Sequence, residues 1–299
     1  MRRRFFTLDV FTQTKFAGNP LAVVLESGGL DTPAMQMIAR EFNHPETVFV
    51  FPAADPGHRA ALRIFTPANE LPFAGHPTVG TAVLLAILDG ANAPREFILE
   101  EKIGIVSCRF EPKTADTGYV RFAIPSLPMA AGDLPGKTEV AAALSVSPED
   151  IGFESAVPSR WSAGVPYSFV PLKDLDAVAR CRPNPASFEN AFGIGGPGKV
   201  FVFCAQAAES GNHFHARMFA PRMGIPEDPA TGSAAAAFAG LLAARGRYRD
   251  GEHNIRIEQG YEIGRPSLIE LRLSIRDGVL ASASVGGSAI MVTEGSLSA

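Results

Sequence analysis

The chain has 299 residues, 46% hydrophobic and 19% charged, and its 27 lysines and arginines against 31 aspartates and glutamates leave a net charge of −4. This length and composition suit one large domain or two ordinary ones with a packed interior, and they exclude a disordered chain. The slight acidity excludes the positive field that captures nucleic acid or an anionic membrane. At the amino end, Arg2, Arg3 and Arg4 look like the start of a secretory leader, but Asp9 cuts the apolar run short of the ~7–15 residues a leader needs. No segment approaches the ~18 uninterrupted apolar residues of a membrane span, so the expected location is the cytoplasm.

Strands are predicted in order at LAVVL (21–25), TVFVFP (47–52), ALRIF (61–65), EFILEE (96–101), GIVSCRF (104–110) and GYVRFAI (118–124), each rich in β-branched and aromatic residues. Between the third and fourth lies a glycine turn, Gly75-His76-Pro77-Thr78, that opens an apolar helix, TVGTAVLLAIL. The proline-punctuated stretch 124–136 reads as a linker. Beyond it the landmarks repeat. Gly18-Asn19-Pro20 before LAVV matches Gly164-Val165-Pro166 before YSFV. VFVF at 48–51 recurs at 200–203, and RIFTP at 63–67 recurs as RMFAP at 217–221. A second glycine turn, Asp228 to Ser233, then opens SAAAAFAGLLAAR.

Four landmarks in the same order, about 150 residues apart, are too widely spaced for a solenoid. They predict two pseudo-symmetric domains of one α+β fold, residues 1–124 and 125–299, with a C-terminal strand near 280–292 as a candidate return to the first. A helix apolar on nearly every face must be buried, so each domain is expected to wrap a barrel-like curved sheet around its central helix.

The chemistry is expected where those helices begin. First-turn N–H groups have no intrahelical partner and the macrodipole adds positive charge, which makes a helix start an anion site. Gly-Thr and Gly-Ser at those positions are equally consistent with ordinary N-capping. The two copies differ just before the VFVF strand: Asn43-His44-Pro45-Glu46-Thr47 in the first, Gly195-Gly196-Pro197-Gly198-Lys199 in the second. Glu46 therefore has no acidic counterpart, which suggests either an asymmetric task or a solvated loop charge. His76 is equally readable as a structural group at its helix start. Cys108, Cys181 and Cys204 are widely spaced and sit in apolar surroundings, without metal-ligand or CxxC spacing. They read as buried reduced thiols, and no metal site is expected.

LDVFTQTKFAGNPLAVV, NHPETVFV, FTPANELPFAGHPTVGTA and PEDPATGSAAAA together resemble the signature segments of the phenazine-biosynthesis PhzF-like family over essentially the whole chain. That resemblance implies the diaminopimelate epimerase-like fold and a cofactor-free isomerase, usually a homodimer, moving a proton on a small carboxylate-bearing substrate in the interdomain cleft. It also implies Glu46 as general acid/base, with His76 and Asp228 beside the reacting atoms. Gly75, Thr231, Gly232 and Ser233, with Asn19 in the GNP loop, would hold the substrate. Three other readings remain: an epimerase using a thiol pair, disfavoured because neither helix start carries a cysteine; a serine hydrolase built from Ser233, His76 and Asp228, which lacks a GxSxG elbow; and a non-catalytic binding protein of the same fold.

Overall fold

The computed structural model describes residues 1–299, and the chain divides into two compact units, Met1–Ala123 with Gly286–Ala299 and Ile124–Val285. The first unit contains β1 (Arg2–Val10), β2 (Asn19–Val24), α1 (Thr32–Phe42), β3 (Glu46–Phe51), β4 (Ala60–Phe65), β5 (Glu70–Leu71), α2 (Gly75–Leu88), β6 (Arg95–Glu101), β7 (Gly104–Pro112) and β8 (Thr117–Ala123). The second contains β9 (Met129–Ala130), α3 (Lys137–Leu144), β10 (Ser159–Ser162), β11 (Pro166–Pro171), α4 (Leu175–Arg180), α5 (Pro185–Phe188), β12 (Val200–Cys204), β13 (Phe214–Ala220), β14 (Ile225–Asp228), α6 (Gly232–Ala244), β15 (Gly251–Gln259) and β16 (Ser267–Arg276). The last strand, β17 (Val279–Ser298), starts in the second unit and ends in the first.

In the first unit the strands close on themselves. β17 pairs with β1 from Arg2↔Ser298 to Val10↔Ala289, and β1 with β2. β2 runs parallel to β3, β3 antiparallel to β4, and β4 parallel to β6. β6, β7 and β8 form a meander whose last strand returns to β17. A closed barrel leaves no free edge. The second unit repeats the series through β9, β10, β11, β12, β13, β15 and β16, with parallel pairs at the matching places, β11–β12 and β13–β15. Asp277 and Gly278, both left-handed at φ 53° and 74°, make the tight turn from β16 into β17.

α2 and α6 are buried on every face of their first three turns, as their all-round apolarity requires. Gly80 lets the barrel wall approach α2, since a Cβ there would stand 2.6 Å from Leu21 and 2.7 Å from Val10. Around α6, Phe169, Phe201, Phe203 and Phe214 pack their rings on Phe238 at 4.8–5.8 Å between centroids. α1 is different. It carries one apolar face, with Met35 and Ala39 covering Val24, Phe49 and Phe65. Its start is capped by Asp31, which accepts from the Ala34 amide at 2.8 Å. The expected linker at 124–136 is partly ordered into the second unit's sheet, where β9 pairs with β10 and the Ile124 amide bonds to Ala283 O at 3.1 Å.

The two units also match in side-chain detail. Arg63 on β4 forks onto Glu70 at 2.8 and 2.9 Å, and Arg217 on β13 forks onto Glu227 at 2.9 and 2.7 Å. Those arginines fix the alignment of the copies. Arg63 faces Phe49 on β3 and Arg217 faces Val202 on β12. The letter-for-letter VFVF match is therefore one residue out of structural register: Thr47, not Val48, corresponds to Val200.

Candidate active site

The start of α2 gathers the first group of expected site residues. Gly18, left-handed at φ 64°, turns the chain where any Cβ would meet Val10 O at 2.4 Å. That turn delivers Asn19, fully buried, and Pro20 to the head of β2. The His76 ring, in the first turn of α2, is held by a hydrogen bond to the Pro20 backbone, and its Nε2 stands 3.2 Å from Glu46 Oε2. Burial pushes the His76 imidazole down to about 3, outweighing the Pro20 bond that pulls it up, and the nearby His44 depresses it slightly more. His76 is therefore neutral. A neutral ring that donates to Pro20 presents a lone pair at its remaining nitrogen, and this is the nitrogen facing Glu46. Glu46 lies at the first position of β3 with its side chain only 13% exposed.

A carboxyl and a neutral imidazole thus stand side by side at the start of α2.

The start of α6 gathers the second group. Thr231 Oγ1 donates to Asp228 Oδ2 at 2.5 Å, and both residues are buried. Gln259, at the end of β15 and fully buried, accepts from the Thr231 amide at 3.0 Å and donates to Asp228 O at 2.7 Å and Thr231 Oγ1 at 3.0 Å. Ser233, second in α6, shares a 2.7 Å hydrogen bond with Tyr167 OH. Glu227, next to Asp228, is tied down by Arg217. Sequence reading missed Gln259 and Tyr167. Neither has a local motif, because each reaches its helix start only through β11 and β15 pairing with distant strands.

Neither α2 nor α6 carries a side-chain cap: Ala74 cannot supply one, and Thr231 is turned onto Asp228 instead. Ordinary N-capping, open from the sequence, does not describe either start, so no side chain of these caps occupies the first-turn amides. The three cysteines are buried and free, and burial raises each thiol, Cys181 to about 12 and Cys204 to about 11, with Cys108 also raised. None stands at a helix start. Within the second unit the hydroxyl of Ser233 pairs with Tyr167. No group of three or more His, Cys, Asp or Glu side chains is placed to hold a metal ion, and no helix is long and apolar enough to cross a membrane.

The family model for phenazine biosynthesis-like proteins matches residues 8–295. This chain belongs to the PhzF-like family. An uncharacterised isomerase of Mesorhizobium japonicum is 45% identical over 99% of this chain and 98% of its own. The trans-2,3-dihydro-3-hydroxyanthranilate isomerase of Pseudomonas fluorescens is 33% identical over 98% of both chains. Among solved structures, a PhzF-family protein of Bacillus anthracis superposes with a TM-score of 0.89 at 26% identity over the whole of both chains. A protein of Agrobacterium radiobacter described as a probable proline racemase, at 12% identity and a TM-score of 0.62 over 99% of this chain and 93% of that one, shares the fold. The protein is thus a PhzF-like isomerase.

Proposed function

We propose that this PhzF-like isomerase moves a proton between two positions of a small, unsaturated, carboxylate-bearing substrate, with Glu46 as the single acid/base. The observation that carries the reading is the contact between Glu46 and a neutral, buried His76 at an uncapped helix start. Ionised Glu46 takes a proton from carbon, and the electron pair left behind spreads into the substrate's π-system. The proton on Glu46 is then steadied by the His76 lone pair until it returns to a different carbon on the same face. No electrons are gained or lost, so the step balances as an isomerisation.

His76 and Asp228 orient the substrate. Asn19, Gly75, Thr231, Gly232 and Ser233 bind it, with the helix-start amides stabilising the charge that develops on proton removal. The relative from Pseudomonas fluorescens acts on trans-2,3-dihydro-3-hydroxyanthranilate, an unsaturated amino acid of this description, and we take that compound as the first substrate to try. Homodimer formation and a cytoplasmic location belong to the same reading.

The test is turnover of that compound in D2O. The wild type should release product carrying solvent deuterium at the new C–H position. Glu46→Gln should fold and bind normally while losing at least ~100-fold in kcat, the low end of general acid–base contributions. Near-normal turnover by Glu46→Gln would remove Glu46 from the mechanism.

A further inference from the structure

The internal duplication assigns a counterpart to Glu46 that the sequence hides. With Arg63 and Arg217 equivalent, Thr47 corresponds to Val200, and Glu46 to Lys199. The parallel ladders agree. Glu46 lies opposite Leu21, which follows Pro20, while Val200 pairs with Ser168, leaving Lys199 one step back beside Tyr167, which follows Pro166. Each side chain thus leaves its sheet at the same place, next to the strand that follows the glycine-proline turn.

The surroundings of Lys199 are unusual for a lysine. Its ammonium lies 5.6 Å from the centroid of the Tyr167 ring, and burial lowers its proton affinity with no carboxylate acting to restore it. A half-buried ammonium that faces an aromatic ring and no carboxylate is placed to receive an anion that brings the missing charge. Tyr167 in turn holds Ser233, the second residue of the uncapped helix α6. Gly198, left-handed at φ 62°, turns the chain immediately before Lys199.

We propose that Lys199 is a binding residue for the substrate's carboxylate, supplying the positive charge that fixes the acid in front of the α6 start. The inference deepens the proposed function and rests on it for the identity of the ligand as a small carboxylic acid. The duplicated position has thereby been given opposite signs in the two units, a proton carrier in one and an anion holder in the other.

Calorimetric titration of the full chain with 3-hydroxyanthranilate and with its uncharged amide tests this. The wild type should bind the acid ~10- to 100-fold more tightly than the amide, the range expected for a hydrogen bond to a charged group. Lys199→Met should lose that preference by weakening the acid alone, and Lys199→Arg should recover most of it. Equal weakening of acid and amide would mean that Lys199 only supports the fold. That outcome, unchanged acid binding in Lys199→Met, or no acid binding by the wild type, would each overturn the assignment. The deuterium test reports separately: a Lys199-dependent acid preference without exchange would leave this site standing and remove the catalytic reading.

Discussion

Glu101 gives the sharpest quantitative prediction. It ends β6 at 7% exposure, and its single hydrogen-bond partner is Thr78 Oγ1 at 2.7 Å. The same hydroxyl lies 2.9 Å from Ala74 O. Thr78 has one hydroxyl proton and cannot donate to both. The arrangement resolves if Glu101 is protonated and donates to Thr78, which donates on to Ala74. Burial pushes the Glu101 carboxyl up to about 8, outweighing the stabilisation that Thr78 would give the ionised form by donating to it.

A carboxyl whose affinity for its proton is higher folded than unfolded contributes stability that is fully present below the unfolded value, near 4.5. That contribution shrinks as the pH climbs and is gone once the pH passes the folded value. Between pH 6 and pH 8 the loss is about 1.4 kcal/mol per unit, or roughly 3 kcal/mol in all. Glu101→Gln keeps a neutral donor for Thr78 and has nothing to ionise.

Urea denaturation of both proteins at pH 6, 7, 8 and 9 isolates the term, because every other titrating group is common to the two. The variant should gain on the wild type by roughly 3 kcal/mol from pH 6 to pH 8 and level off by pH 9. A difference that stays constant over that range would show Glu101 to be ionised in the folded protein, and the shared-proton reading of Thr78 would fall with it.

Two further perturbations follow the same logic. Changing Cys108, Cys181 and Cys204 together to alanine should leave turnover within a few-fold of wild type and cost stability only through lost packing; inactivation by a thiol reagent of the wild type but not of this variant would contradict a thiol-free mechanism. His215 sits between Glu258 Oε2 at 2.9 Å and Glu262 Oε1 at 3.0 Å, and although burial works to lower it, those carboxylates hold it up at about 9. Its contribution is therefore full below its ordinary value near 6.5 and lost as the pH rises through about 9. His215→Gln should cost roughly 3 kcal/mol at pH 6 and much less at pH 10, and a cost independent of pH in denaturation curves would refute the ion-pair account.

What the sequence made legible was whatever is written locally. The Gly-Asn-Pro turn, the β-branched strands and the two all-apolar helices each follow from a few adjacent residues, and their repetition pointed to a duplicated barrel-like fold. What stayed hidden depends on register. A strand pattern with period two fixes which face a residue occupies, but a one-residue error in aligning VFVF is invisible until a cross-strand pair such as Val202↔Arg217 is seen. That error concealed Lys199. Gln259 was concealed for a related reason, since it meets Thr231 only after β15 has aligned parallel to β13, some forty residues away in the chain.

The same alignment separates what the two units share from what they have changed. Ala60 pairs with Leu99 and Phe214 with Ile257, so Glu100 corresponds to Glu258 and Glu101 to Gln259. Glu100 accepts from the backbone of Ala54 and Asp55, and Glu258 from that of Ala208 and Glu209. These carboxylates do one job twice, fastening the loop that leaves β3 or β12. Successive strand residues face opposite sides, so the next position turns inward to the helix start, and there the residues differ. Gln259 clamps Thr231 and Asp228 as a neutral amide, while Glu101 meets Thr78 as a carboxyl that burial keeps protonated at neutral pH. Both are uncharged, Gln259 as an amide and Glu101 because burial disfavours its ionised form. Neither therefore cancels the positive potential that the first-turn amides offer to a bound anion. The sheet position beside each start carries an ionisable side chain of opposite type, Glu46 in the first unit and Lys199 in the second, and the proposed acid/base and anion-holding roles rest on that difference.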